Sequence, residues 1–293
     1  MHEFLTAFAS GVGLGSIYCV VALGYSFVYR TTASFNFAQG QAVVLGTLFT
    51  YTFYVKLGIP AIGAGIAVCI VVAAIGGLTE RVAIWPLVRR GDETLKWLMS
   101  TLGMAVLFTG ASLRIWGSDI LGIPNYLSSP VTHFGSVRVS SSYVLAFAVA
   151  VALAITIEIF QRFTFWGRIL RAVGDNRLAV ELAGVNVVRM GFWAFVLSGV
   201  LAGAAGFVIG PVTFADPNAG FNFAILSFAA LAIGGFQSHW GALIGGFAVG
   251  LAESLGGTYL GLQYQDLVVF GMLILILVIR PEGVMAGRQA RHV

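Results

Sequence analysis

Charge at helical spacing marks one stretch of this 293-residue chain as a place for contact chemistry. Residues 167–190, GRILRAVGDNRLAVELAGVNVVRM, carry Arg168, Arg171, Asp175, Arg177, Glu181 and Arg189. Arg171 and Asp175 are four residues apart, as are Arg177 and Glu181, so on a helix each pair shares a face and satisfies itself. Ile169, Ala172, Val173, Val180 and Ala183 form the opposite face, and Gly184 supplies a stop, since glycine takes the left-handed conformation that ends helices. A short surface helix with its own stop reads as a docking element, where a plain topology anchor would need neither. Amides form a second group. Asn36, Gln39 and Gln41 surround Gly40 at the entry to an apolar run. They fit either a broken helix whose amides face a solute path or a polar turn that stays wet. A second FNFA, at Phe221–Ala224 with Asn222, opens another Gly-rich run; in a Phe-rich chain, chance explains the repeat of 35–38 as readily as two related halves do.

Carboxylates inside apolar runs are the third group. Glu253 is the only one well inside a late run, and a central charge in a membrane costs about 2.5–3.5 kcal/mol on insertion scales. It reads as a proton or solute contact, or as a group near a helix end that reaches water or packs on a neighbour. Glu158 has Arg162 four residues on as a partner. Other chemistries lack their residues. No G-x-x-x-x-G-K-[ST] loop is present to cradle ATP, no Cys/His cluster has metal spacing, and no G-x-S-x-G elbow occurs. His2, His133, His239 and His292 are scattered through loops and tails. Cys19 and Cys69 sit in apolar runs and read as small buried hydrophobes. The expectation is no catalysis, no cofactor and no metal.

The elements that position these groups follow from composition. Hydrophobic residues are 58% of the chain and charged residues 10%, where a soluble domain has about 25% charged; mean hydropathy is +0.93. That excludes a water-soluble domain of this length and predicts an all-α polytopic membrane protein, a single transmembrane domain over 1–293 with about eight or nine spans. The apolar runs lie near 5–29, 38–55, 60–79, 97–115, 141–160, 191–213, 223–236, 241–257 and 264–279. The last pair before the end, 223–236 and 241–257, joined by GGFQSHWG, reads as two crossings or as one re-entrant pair. The first run is too long for a cleavable signal and reads as a retained helix.

Basic residues cluster in three segments: Arg81, Arg89, Arg90 and Lys96; Arg162, Arg168, Arg171, Arg177 and Arg189; Arg280, Arg288 and Arg291. The positive-inside rule puts all three in the cytoplasm. Even numbers of crossings separate them, so the scheme is self-consistent. It places the N-terminus, Lys56, Arg114 and Arg138 outside and Arg30 and the C-terminus inside. The net charge of +4 is spread over these loops, which does not argue for nucleic acid. The loop 80–96, with Trp85 and its arginines, reads as an interfacial anchor.

Seven segments in order carry a resemblance: GSIYCVVALGYSFVY at 15–29, NFAQG at 36–40, ERVAIWPL at 80–87, the whole of 167–190, LAGAAGF at 201–207, GGFQSHWGALIGGFAVGLAES at 234–254 and RPEG at 280–283. Together they resemble the membrane permease subunits of the branched-chain amino-acid ABC importers, over nearly the whole chain. The resemblance implies a bacterial inner-membrane protein with a related but non-identical permease partner. It also implies two cytoplasmic ATP-binding subunits and a periplasmic solute-binding protein. It makes 167–190 the ATPase-coupling segment, with Gly167, Arg168, Arg171, Ala172, Asp175, Ala179, Leu182 and Gly184 matching the family pattern. Asn36, Gln39, Gly40, Asn222 and Glu253 are the candidate pathway residues. The family often has His where this chain has Gln39, which bears on the solute; relatives also carry urea, short amides or aromatic acids. The competing reading is a stand-alone secondary transporter or channel gated by Glu253.

Overall fold

The computed structural model describes residues 2–32, 35–89, 94–127, 131–134, 137–236 and 238–285. Arg90, Gln237, Arg288, Arg291 and His292 lie outside the described residues, as do the side chains of His2, His133 and Arg138. The chain is helical nearly throughout: α1 (His2–Thr32), α2 (Ala38–Thr50), α3 (Ala61–Thr79), α4 (Trp85–Arg89), α5 (Thr94–Trp116), α6 (Ser141–Phe163), α7 (Phe165–Asp175), α8 (Arg177–Leu182), α9 (Val187–Thr213), α10 (Gly220–Gly234), α11 (His239–Tyr259) and α12 (Gln265–Ile279). Wider π-helical turns, Tyr51–Lys56 and Glu80–Ile84, continue α2 and α3. A two-stranded antiparallel hairpin, β1 (Val131–Phe134) and β2 (Val137–Ser140), precedes α6. Six helices among the described residues are long and apolar enough to cross a membrane: α1, α3 with its extension, α5, α6, α9 and α12. Their outward faces are apolar and exposed, as at Ile62, Val106, Leu107, Leu267 and Ile274, which is what a lipid-facing surface requires.

The runs 38–55 and 223–236 do not span the bundle as helices. Gln39 of α2 lies against Gly24 of α1 and Ser198 of α9, well inside both. So α2 starts within the bundle, after Phe35–Phe37, and runs parallel to α9, with Gly46 beside Gly206. The second short helix, α10, starts in the same place. A Cβ on Gly40 would overlap the Gly220 carbonyl and the Ala224 amide. From there α10 runs toward the end of the bundle that holds Arg30, and α11 returns along the full length of α1. Cys19 packs on Gly246 and Gly15 on Gly250 along that return.

These contacts describe two triplets of opposite direction: α1, α2, α3 and α9, α10, α11. Each long helix is followed by non-helical backbone and a short helix that begins beside the other. The third helix of each triplet packs on the long helix of the other. Gly76, Gly199 and Gly203 close the α3–α9 contact, and Gly15, Gly246 and Gly250 close α1–α11. Small residues let backbones approach where lipid offers no hydrophobic drive to pack helices. The FNFA repeats stand at the two short-helix starts, Phe35–Ala38 running into the first residue of α2 and Phe221–Ala224 in the first turn of α10. That placement fits an inverted repeat.

The core lies where the triplets meet, around Leu23, Tyr25, Leu48, Ile209, Leu226, Leu231 and Ile233. RPEG follows α12 and caps another helix. Gly283, at φ +87, sits against Gly235. The amides of Val284 and Met285 then donate to the carbonyls of Ile233 (2.8 Å) and Gly234 (3.0 Å). Helix-end carbonyls otherwise lack partners.

Candidate functional site

The segment 165–182 is two helices. Thr164 caps α7 by accepting from Gly167 N at 3.1 Å, and Asn176 breaks the run and caps α8 by accepting from Ala179 N at 3.0 Å. Both are side-chain N-caps of the usual kind. Gly184 ends α8 at φ +83 with open space around it. Asn186 then caps α9 through Arg189 N at 3.0 Å. The inner face of α7 is Gly167, Leu170 and Val173, against Val187, Met190 and Ala194. Ala172, placed on that face by the sequence reading, is exposed; Leu170 takes the inner position, in the i, i+3 row with Gly167 and Val173. Gly167 is buried, and a Cβ there would overlap the Phe160 carbonyl. Arg168, Arg171, Ala172, Ala179 and Leu182 are exposed, Leu182 by 81%.

One expected pair forms and the other does not. Arg177 Nε meets Glu181 Oε1 at 3.2 Å. Asp175 does not pair with Arg171; it meets Arg30 Nη2, from the last turn of α1, at 3.1 Å. Sequence spacing favours the local partner, but the fold brings the end of α1 under α7, and Arg30 is held there by burial of its stem. Its Nη1 donates to His239 Nε2 at 3.0 Å, and Gln161 Nε2 of α6 donates to the same nitrogen at 2.7 Å. Arginine has no lone pair to offer, so Nε2 must be the acceptor. The imidazole proton then sits on Nδ1 and is shared with Ser26 Oγ at 3.2 Å. Phe27 covers the ring at 5.1 Å between centroids. His239 was read as a loop histidine. It is instead the first residue of α11 and the node joining α1, α6 and α11 below α7. Its only sequence signal is its place in the run GGFQSHWG, which spacing rules cannot interpret.

At the meeting point of the short helices the amides are mostly spoken for. Gln39 is buried; its Nε2 donates to Ser198 O at 3.0 Å and its Oε1 accepts from Ser198 Oγ at 2.7 Å. Gln41 Nε2 donates to Pro217 O at 3.2 Å, tying α2 to the backbone before α10. Asn36 is buried and accepts from Ala38 N at 3.2 Å, as a turn amide does. Thr101 Oγ1 of α5 accepts from Phe37 N at 3.2 Å. Only on the α10 side are polar groups open: Asn218 and Asn222 are exposed, with Phe214 and Phe221 beside them at 48% and 65%. Phe214 is also the one non-glycine at positive φ (59) among the described residues. Glu253 lies apart, on α11 near Tyr18. Its Oε2 is buried without a partner. Glu158 and Arg162 form their ion pair. Among the described residues no cluster of His, Cys, Asp and Glu could hold a metal.

Residues 7–277 match the family described as branched-chain amino acid transport system permease component. The chain is 30% identical over 306 residues to the high-affinity branched-chain amino acid transport system permease protein BraD of Pseudomonas aeruginosa, covering 100% of this chain and 99% of that one. It is 29% identical over 303 residues to the corresponding protein LivH of Escherichia coli K12, covering 99% and 98%. Likeness extends to the ribose import permease protein RbsC of the same organism, at 25% over 286 residues and 90% and 82% coverage. The matched region runs from α1 through nearly all of α12.

Proposed function

This chain belongs to the branched-chain amino-acid transport permease family, and on that premise we propose that it forms half of the membrane path of an ATP-driven importer. The other half is a related, non-identical permease. Of the two cytoplasmic ATP-binding subunits, one docks on the exposed face of α7 and α8 and the other on the partner permease. A periplasmic binding protein delivers the solute to the opposite end. Branched-chain amino acids are the solute class best supported, because relatives so named match over the whole chain at 29–30%. ATP hydrolysis belongs to the partner subunits. In the membrane the chain makes nine passes, those of α1, α2, α3, α5, α6, α9, α10, α11 and α12. Extended backbone completes the passes of α2 and α10. The N-terminus lies in the periplasm and the end bearing Arg30, α7 and α8 in the cytoplasm.

The observation that carries this reading is the polar chain Asp175–Arg30–His239–Gln161. A docking helix is useful only if its movement reaches the solute path. Through Arg30 the displacement of α7 is handed to α1, and through His239 to α11 and α6. Two of those helices, α1 and α11, flank the short helices at the centre. The ion pair adds little to stability, about 0–1 kcal/mol, because Asp175 is mostly solvated; its value is in geometry. The solute passes along the α10 side, where Asn218 and Asn222 are open, and not between the closed amides of Gln39 and Ser198. Both short helices point their N-termini at this centre, and such ends favour a carboxylate.

Arg30→Gln and Asp175→Asn in the complete complex, reconstituted in liposomes, test it. Both variants should keep their ATP-binding subunits and lose leucine uptake by about tenfold, the effect of losing one charge-assisted contact. Uptake at the normal rate in both would overturn the coupling route. Recovery of this chain alone, carrying solute without ATP-binding subunits, would overturn the importer reading itself.

A further inference from the structure

One cavity lies away from the centre. It is an apolar groove of about 690 Å³ at the basic end, walled by Phe160, Trp166, Leu170, Phe192, Trp193 and Leu197. Arg81 and Arg189 line it as well, and the same two arginines line an adjoining cavity of about 430 Å³ together with Arg89, Trp85 and Asn186. An apolar slot thus opens directly into a basic bowl.

Arg81 and Arg89 are held by aromatic rings, and of the three arginines only Arg81 has an acid partner among the described residues. Arg81 lies over the Phe192 ring at 4.8 Å, and Arg89 over Trp85 at 4.2 Å. Cation–π contact fixes a guanidinium while leaving its charge available. The nearby acid is Glu80, buried beneath Arg81 at 3.8 Å. Arg89 and Arg189 have no ion pair among the described residues. The start of α9 at Asn186–Arg189 adds the positive end of a helix dipole. Trp166 and Trp193 are about half exposed, as aromatic residues at a membrane–water boundary are.

We infer that this paired cavity binds one anionic phospholipid of the cytoplasmic leaflet. The phosphate and headgroup sit among Arg81, Arg89 and Arg189, and an acyl chain lies in the groove against Trp193 and Leu197. Charge complementarity selects an anionic headgroup. The continuous apolar wall selects a lipid over a free phosphate, which would leave it empty. The site adjoins α7 through Trp166 and Leu170, so an occupied groove buttresses the coupling segment from the lipid side.

Native mass spectrometry of the purified complete complex tests the site, with titrations of dioleoyl-phosphatidylglycerol and, separately, dioleoyl-phosphatidylcholine. The wild type should retain phosphatidylglycerol over phosphatidylcholine, and millimolar inorganic phosphate should not displace it. Arg89→Gln and Arg189→Gln should each weaken retention by about fivefold, the usual worth of one basic residue at an anionic membrane surface. Trp193→Ala, which keeps every charge, should weaken it too. Equal retention of the two lipids, unchanged retention in all three variants, or displacement by phosphate would overturn the inference. So would loss of the ATP-binding subunits in the arginine variants with lipid retention intact, which would make the bowl a protein contact. The readout needs no transport, so its failure is separable from failure of the importer reading.

Discussion

Gln39 and Asn222 show how two amides of similar chemistry take different work from their surroundings. Gln39 is closed off, with both ends of its amide engaged by Ser198. Gln39→Leu strands Ser198 in the interior, where an unsatisfied polar group costs about 1–3 kcal/mol. A lower melting temperature of the detergent-solubilised complex should follow, and the Gln39→Leu, Ser198→Ala double variant should recover part of the loss. If the double variant is as unstable as the sum of the singles, the two side chains are not coupled. Asn222 is exposed, so Asn222→Leu should leave the melting temperature unchanged and reduce leucine uptake, measured in the same liposomes. The pocket around Gln39 uses both a donor and an acceptor, which an amide supplies without titrating.

The short helices and the surface helices α7 and α8 owe their form to single glycines and caps. Gly184 holds a left-handed turn with nothing packed around it, so only backbone preference is at stake there. Gly184→Val should cost about 1–2 kcal/mol locally and detach α8 from its docking position. Gly184→Asn, a residue that tolerates the left-handed region, should retain most function. Pull-down of the ATP-binding subunits from both variants distinguishes the two, and equal recovery would show that the turn conformation is immaterial. Gly40 differs, because its space is occupied by Gly220 and Ala224. Gly40→Ala forces α2 and α10 apart, and overpacking of this kind costs about 1–3 kcal/mol. Size-exclusion chromatography should show loss of monodisperse complex. An unchanged profile would mean that the two short helices do not meet as closely as their glycines indicate.

At the scale of the molecule, the charges sort by end. Arg30, Arg81, Arg189 and Arg280 lie with α7 and α8, while Lys56 and Arg114 lie with the far ends of α2 and α5, joined there by a Trp116–Thr52 hydrogen bond of 2.9 Å. Impermeant maleimide should therefore label Ala179→Cys only in inside-out vesicles and Gly122→Cys only in intact cells, in a background lacking Cys19 and Cys69. Labelling of both from one side would invert or break the topology. Membrane character and helical class were legible in the sequence; of the nine apolar runs read there, six fall in helices long and apolar enough to cross a membrane among the described residues. That character and class depend on composition and on the positive-inside bias, which act residue by residue. The helical form of 167–184 was legible in part for the same reason: its Gly184 stop and its Arg177–Glu181 pair are local. Tertiary structure alone decided that Asp175 turns to Arg30, that His239 is a buried node, and that the runs 38–55 and 223–236 are short helices meeting at Gly40 and Gly220. Each of those depends on which distant helices approach, set by backbone contacts at glycines whose partners lie many residues away. Periodicity reports the face a residue occupies, not the element that comes to cover it.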